Sequence, residues 1–249
     1  MNLEQRLRST LFNALGQETY LSIVSAAYLK IIRAGYLKAK YPELFHLQKI
    51  IKPGFVCLDI GANVGYYATF LSDLSGPEGK VLAVEPVPLF AAILKKNLGS
   101  NRLKNTEIYP FALGSEEKEI TLGTPTINGV FRHGLTKIVD QDEAKSLQTF
   151  TAKMKIPDVL FNDLQKLDFV KCDVEGYETI LFPQMLKTLL RFKPLIQIEI
   201  NSPENRKVLI ELLKPLGYQA YCLINGALTP LKKEEELNWE NGDYYFKVA

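Results

Sequence analysis

Cysteine is scarce. The 249 residues hold three, Cys57, Cys172 and Cys222. They form no C-x-x-C and an odd number cannot all pair, so no disulfide scaffold is expected. Each lies inside an apolar, strand-like run and reads as a small core residue in a reducing compartment. An excess of one charge is also missing. Net charge is +2, which gives no case for a nucleic-acid partner. No long apolar run occurs either: the greasiest stretch, residues 20–37, is interrupted by Lys30 and Arg33, so no transmembrane segment is expected. The first residues carry Glu4, Arg6 and Arg8 without an apolar core and small-residue cleavage site, so no signal peptide and a cytoplasmic location are expected. Repeats and low-complexity tracts are absent.

What is present is an ordinary globular composition, 47% hydrophobic and 23% charged. That length and composition suit one α/β domain with a small extension. The chain is organised around residues 56–68, Val-Cys-Leu-Asp-Ile-Gly-Ala-Asn-Val-Gly-Tyr-Tyr-Ala. An apolar run ends at Gly61-x-x-x-Gly65 and passes directly into an amphipathic helix, as a buried parallel strand followed by a ligand-facing turn would. The turn is expected to bring bare backbone N–H groups close to a ligand, with glycines because a Cβ would block that approach or forbid the turn. A dinucleotide fingerprint needs a third glycine, and this run lacks it. A nucleoside without a bridging pyrophosphate fits better, and S-adenosylmethionine meets that description. A second strand run, residues 81–85, ends in Glu85, about 20 residues past Gly65, where such folds place an acid on ribose hydroxyls.

Residues 2–50 read as helical. Leu3, Leu7, Leu11 and Leu15 line one face, and Tyr20, Ile23, Val24, Ala27, Tyr28, Ile31 and Ile32 continue it. A helical cap is the plain reading. A dimer face between two copies, or a membrane-surface helix using Lys30, Arg33, Lys38 and Lys40, are the others. Residues 1–50 are therefore taken as an N-terminal helical extension and 51–249 as the main domain. In the main domain, strands at 56–60, 81–85 and 105–109 alternate with helices, predicting βαβ units and a parallel sheet. The pattern loosens from 115 to 155, with strand-like 120–122 and 147–151 around a turn-rich loop at 123–134. Strands follow at 167–173 and 195–200, and Ser202-Pro203-Glu204 marks a helix start. The last two strands, 218–224 and 243–248, flank Asn225-Gly226, a hairpin signal.

Asp59, Asn63, Glu85, Asp173, Glu175, Glu178, Glu199 and Asn201 all fall at strand carboxyl ends, where open α/β sheets bind ligands. Glu178 has an ordinary explanation as an acidic helix start. Asp173 does not, because it follows a buried strand.

These residues carry a resemblance. Lys52-Pro53-Gly54, the motif from Leu58 to Tyr67, Val84-Glu85-Pro86, Ala112-Leu113-Gly114, Lys171-Cys172-Asp173-Val174-Glu175-Gly176-Tyr177-Glu178 and Glu199-Ile200 occur in the order found in the FkbM family of class I S-adenosylmethionine-dependent methyltransferases. The resemblance covers residues 50–205. It implies a Rossmann-like fold: a mostly parallel seven-stranded sheet with helices on both faces and an antiparallel C-terminal strand. It implies that Asp59, Gly61, Ala62, Asn63, Gly65 and Tyr66 hold the methionine end of the cofactor, that Glu85 with Pro86 holds the ribose, and that Ala112 lies beside the adenine. Asp173 would lie near the amino-acid part of the cofactor or the acceptor. The family usually has a larger aliphatic residue where this chain has Cys172. Residues 123–150 and the first 45 match no family pattern.

Methyl transfer needs proximity and alignment, and an oxygen acceptor also needs a base. Asp173, Glu175 and His133 are the catalytic candidates, although the plain reading of His133 is an exposed loop residue. Asp173, Glu199 and Asn201 offer oxygen ligands, but no metal site is expected. The function expected is methylation of a hydroxyl on a small molecule or sugar. The alternatives are a non-catalytic cofactor- or partner-binding domain and a nicotinamide-dependent oxidoreductase. A nucleic-acid amino-methyltransferase would carry an Asn/Asp-Pro-Pro-Tyr motif, which is absent.

Overall fold

The computed structural model describes residues 10–12, 14–127, 130–232, 239 and 242–248. Helices α1 (Gln17–Arg33) and α2 (Pro42–Ile50) precede strand β1 (Val56–Ile60). Helix α3 (Tyr66–Ser75) leads to β2 (Lys80–Val84), and α4 (Pro88–Ser100) leads to β3 (Thr106–Tyr109). A β-rich insertion follows: β4 (Ala112–Leu113), β5 (Lys118–Thr124), β6 (Thr126–Ile127), β7 (Val130–Phe131), β8 (Lys137–Ile138), α5 (Gln141–Ala144) and β9 (Gln148–Lys155). The α/β pattern then resumes with α6 (Pro157–Leu160), β10 (Phe169–Cys172), α7 (Glu178–Leu181), α8 (Leu186–Phe192), β11 (Leu195–Glu199) and α9 (Pro203–Leu213). Strands β12 (Tyr218–Ile224), β13 (Ala227–Pro230) and β14 (Asp243–Val248) close the chain.

The main sheet runs β13-β12-β14-β11-β10-β1-β2-β3. The five strands from β11 to β3 are parallel, and β14, β12 and β13 are antiparallel. The expected mostly parallel α/β sheet is therefore observed, with eight strands rather than seven. The extra strand has a local cause. Asn225-Gly226, both at positive φ, turn β12 onto β13, whereas β14 slots between β11 and β12. The hairpin signal was real, but its partner is the short run after the turn and not the last strand.

The central strands read VCLDI, KVLAV and FVKC because both faces are covered. Leu58, Ile60, Val170 and Cys172 pack toward Leu181, Phe182 and Leu209. On the other face, Cys57, Val81 and Phe169 pack with Leu71, Leu94 and, from the first two helices, Ile32, Leu44 and Leu47. Each fully buried large apolar side chain contributes about 1.5–3 kcal/mol, so the two layers hold the sheet rigid from both sides.

Ser202 caps α9 by accepting from the Asn205 N–H at 3.2 Å, with Pro203 at the first turn, as the sequence predicts. The stripe on α1 differs from the expectation. Tyr20, Leu21, Ser25, Leu29 and Ile32 are buried, while Ile23, Val24 and Ile31 are exposed. This helix is apolar on more than one side, and the face chosen is the one whose Ser25 accepts a hydrogen bond from Asn97 of α4 at 3.1 Å. Leu11 and Leu15 are also exposed, and Leu3 and Leu7 lie outside the described residues.

Residues 112–155 are more regular than the sequence pattern suggests, and the strand-like runs at 120–122 and 147–151 correspond to β5 and β9. These residues build a second sheet, β4-β9-β5-β8, with β6 and β7 paired beside it. Its apolar face, including Ile120, Leu122, Ala152 and Met154, packs on Val64, Val87, Phe90 and Ile93. It therefore sits over the carboxyl end of the main sheet.

Candidate functional site

The chain runs from β1 outward to β2 and β3, then returns to place β10 on β1's other side. That reversal is the switch point where open sheets form a crevice. The register pairs Ile60 with Cys172, so the next residues, Gly61 and Asp173, meet at the crevice floor. A Cβ on Gly61 would collide with the Asp173 carbonyl oxygen, and Gly61 has φ +80°. Gly65, at φ +93°, would collide with Leu94. The positive φ at both is the turn that the sequence reading required of these glycines, and both also make room for the protein's own atoms. Gly65 is buried beneath α4 and lines neither cleft described below.

The N–H groups of this turn are not bare. Gly61 and Ala62 both donate to the Val84 carbonyl at 3.0 Å, and Gly65 donates to Ala62 at 2.9 Å. Asn63 N–H donates to Glu85 Oε2 at 2.7 Å, and Val64 N–H donates to Asn63 Oδ1 at 2.8 Å. All five are bonded internally, so the turn offers no open nest of N–H groups for a pyrophosphate.

Two clefts open from this floor. The first, about 110 Å³, is lined by Gly61, Asn63, Glu85, Pro86, Ala112, His133, Asp173 and Glu175, with Val84, Phe90 and Leu113 as apolar walls. The second, about 350 Å³, is lined by Asp59, Gly61, Ala62, Asn63, Tyr66, His133 and Asp173 and extends to Tyr41, Lys171, Glu199 and Asp243. Gly61, Asn63, His133, Gly134 and Asp173 line both.

Glu85 is 4% exposed. Its Oε2 accepts from Asn63 N–H and its Oε1 from Val87 N–H, each at 2.7 Å. Each carboxylate oxygen can accept more than one hydrogen bond, so Glu85 both fixes the turn and keeps acceptor capacity toward the first cleft. Burial pushes its carboxyl up to about 7, and the two N–H groups oppose that rise. Asp59 is 1% exposed, and its Oδ2 has no hydrogen-bond partner among the described residues. Burial pushes it up to about 7, with the Lys171 ammonium pulling it back. Glu175, at φ +52°, is raised to about 7 by burial and then by the Asp173 charge. Glu178 behaves as a structural acid: its Oε1 accepts from the Val174 and Gly176 N–H groups at 3.2 and 3.3 Å.

His133 is not an exposed loop residue. Its Nδ1 donates to Asn63 Oδ1 at 2.8 Å, and Asn63 Nδ2 donates to the His133 carbonyl at 3.0 Å. The Val64 N–H also donates to that Oδ1, which fixes the oxygen as an acceptor and the imidazole proton on Nδ1. The ring lies edge-on to Phe90 at 5.9 Å. Burial lowers the imidazole to about 4, so it is neutral at ordinary pH. The insertion is thus clasped to the β1–α3 turn. In Asn63→Ala the His133 titration, followed by proton NMR, is expected to move up from about 4 toward the ordinary 6.5, with faster amide exchange over residues 130–138. An unmoved titration would show that the clasp does not hold the loop.

A family model for the methyltransferase FkbM domain matches residues 59–220, well over half of the chain. The chain belongs to the FkbM methyltransferase family. Protein-L-isoaspartate O-methyltransferases from Methanothrix thermoacetophila and Methanopyrus kandleri are each 31% identical to it, over 58 and 85 residues. Those matches cover 23% and 30% of this chain and 28% and 38% of the relatives, so the chain spans well under half the length of the curated relatives it matches. A solved FkbM methyltransferase from Methylobacillus flagellatus KT is 16% identical, with a TM-score of 0.48 over 80% of this chain and 48% of the other.

Within this FkbM-family chain, sequence reasoning missed Lys171, Asp243, Tyr67, Glu43 and Lys40, all of which line the second cleft. Only Lys171 carried a signal: a lysine in the buried strand run FVKC. Asn201, which the sequence grouped with Asp173 and Glu199, lines neither cleft. Among the described residues no helix is long and apolar enough to cross a membrane.

Proposed function

We propose that the chain transfers a methyl group from S-adenosylmethionine to a hydroxyl oxygen of a small-molecule or carbohydrate acceptor. The observation that carries this reading is the pairing of Glu85 with a turn whose five N–H groups are internally bonded. Such a site favours ribose hydroxyls and disfavours a pyrophosphate, which counts against a nicotinamide dinucleotide. The residues present fit a sulfonium nucleoside on a second ground: Asp59 Oδ2 is buried, unpartnered and borders the second cleft, a place for an ammonium or sulfonium charge.

In this reading Glu85 holds the ribose hydroxyls, with Pro86 and Ala112 beside the base. Asp59, Gly61 and Ala62 hold the amino-acid end, and Tyr66 closes that end. When bound, the cofactor supplies an activated methyl on a good leaving group. The chain's own part is alignment and proton removal. Asp173 sits where the two clefts meet, and Glu175 beside it has a carboxyl near 7, suited to accept the acceptor's proton at neutral pH. His133, neutral and tethered to Asn63, shields the junction from water rather than acting as the principal base.

Thermal unfolding with S-adenosylhomocysteine, S-adenosylmethionine and NADH tests the reading. At about 100 times its dissociation constant a ligand adds about 2.7 kcal/mol. Stabilisation by the two sulfur nucleosides and none by NADH is expected. Stabilisation by NADH alone would overturn the reading, and no stabilisation by any of the three would favour a non-catalytic domain.

A further inference from the structure

Beyond the cofactor end, the second cleft has a chemistry of its own. Among the described residues it is lined by five carboxylates, Glu43, Asp59, Asp173, Glu199 and Asp243, and two ammonium groups, Lys40 and Lys171. They come from the turn before α2, from α2, β1, β10 and the residue after it, β11 and β14, so no single helix start or turn explains their meeting. An acidic wall alone could be a solvated surface. Two buried groups say otherwise. Asp59 Oδ2 has no partner, and Lys171, 2% exposed, makes one hydrogen bond among the described residues, to the Cys172 carbonyl at 3.2 Å. Burial works against its charge, the Asp173, Asp243 and Glu199 carboxylates hold it protonated, and an ammonium that makes one hydrogen bond keeps capacity for two more.

We propose that this part of the cleft is the acceptor site, and that it takes an acceptor bearing a protonated amine beside its hydroxyl, as in an amino sugar or amino alcohol. The proposal rests on the methyltransferase reading and deepens it. The carboxylates outnumber the ammonium groups by more than the cofactor's own positive charge can balance. A second cation lowers the energy of the filled site, and a phosphate or carboxylate raises it. Mutual repulsion is already visible: burial raises the Glu199 and Asp243 carboxyls, and the Asp173 charge adds to both shifts. Lys171 supplies the complementary contact, since its remaining donor capacity suits an uncharged oxygen of the same ligand. Tyr41 and Tyr67 furnish aromatic walls, on which a sugar face or an ammonium group rests favourably. Lys171 already lies 5.1 Å from the Tyr67 ring centre.

Three probes separate the charge term from shape: glucosamine, glucose and glucuronate. Each is titrated into the full chain, with and without saturating S-adenosylhomocysteine, and followed by amide NMR. Glucosamine is expected to bind at least about tenfold more tightly than glucose, equivalent to about 1.4 kcal/mol, and glucuronate more weakly than both. Shifts should centre on Tyr41, Lys171, Glu199 and Asp243, and the preference should shrink as salt is raised. The isosteric double variant Glu199→Gln/Asp243→Asn, which also removes two charges that stabilise the buried Lys171 ammonium and is therefore compared below its own unfolding temperature, should lose the preference while keeping its affinity for S-adenosylhomocysteine. Equal binding of the three sugars, the reverse order, or no binding of glucosamine overturns the proposal. If S-adenosylhomocysteine binds and the amine preference is absent, only the acceptor proposal falls. If S-adenosylhomocysteine does not bind, the methyltransferase reading falls and takes the acceptor role with it.

Discussion

Gly61→Ala is expected to cost at least about 3 kcal/mol of folding stability, lowering the unfolding temperature by about 6 °C or more for a chain of this size. Two effects add. The residue sits at φ +80°, which costs an L-residue about 1–2 kcal/mol. Its new methyl would also strike the Asp173 carbonyl oxygen, an atom fixed by the strand ladder that pairs β1 with β10. A backbone atom cannot turn aside as a flexible side chain can, so the two strand ends must separate. Gly176→Ala is the control. Gly176 also has positive φ, +97°, but nothing lies within 4 Å of the added methyl, so only the conformational cost of about 1–2 kcal/mol remains. Denaturant unfolding of both variants decides the matter. Equal losses would mean that the close approach of the strand ends does not constrain the crevice. Because Asp173 lines both clefts, Gly61→Ala should also weaken cofactor binding at temperatures where it stays folded.

Glu85→Gln is expected to weaken S-adenosylhomocysteine binding by about 1.5–3 kcal/mol, roughly ten- to 150-fold. The amide keeps the shape but has one acceptor oxygen in place of two. Either the Asn63 or the Val87 N–H is then left facing an NH₂ group, and one ribose hydroxyl loses its charged acceptor. Binding should also depend on pH. Glu85 and Asp59 are both raised to about 7, from ordinary values of 4.5 and 3.8. The folded chain therefore holds protons that the unfolded chain releases between about pH 4 and 7. Folding stability from these two groups falls as pH rises through that window, the reverse of a salt-bridged carboxylate. Ligand binding runs the other way, because the ionised forms accept the ribose hydroxyls and the ammonium group. S-adenosylhomocysteine should bind about tenfold more weakly for each of the two carboxylates, about a hundredfold for both, one unit below pH 7 than well above it. Calorimetry in two buffers of different ionisation enthalpy should register proton release near pH 6.5, reduced in Glu85→Gln. A pH-independent dissociation constant would show that neither carboxylate meets the ligand.

Much of the crevice was legible before any coordinates. The strand–glycine–helix run at 56–68, the acid ending the next strand, and the Asp-Val-Glu-Gly stretch after β10 are local features, each readable within about ten residues of chain. Hydrophobic run length, glycine position and proline at helix starts are set by neighbours in sequence, and the elements they predicted are the elements found. The Ser202 cap is the same kind of success. The turn that Gly61 and Gly65 permit is local too, but the close approach they allow is not, because the atoms they admit belong to residues 112 and 29 positions away in sequence.

Tertiary structure decided what strand order and layer packing decide. Sequence could not say that the turn's N–H groups would all be bonded internally, since two of them go to Val84 and one to Glu85 on a neighbouring strand. Nor could it fold residues 115–155 into a second sheet that carries His133 onto Asn63, 70 positions earlier. Lys171 faces Asp59, Glu199 and Asp243 only because β1, β10, β11 and β14 lie side by side in that order. The order is fixed by burial on both faces of the sheet, a summed property of the whole chain that leaves no mark at any one residue. Sequence by itself determined the strand–turn–helix unit and its family; the packed sheet determined the shape and charge of the space beside it.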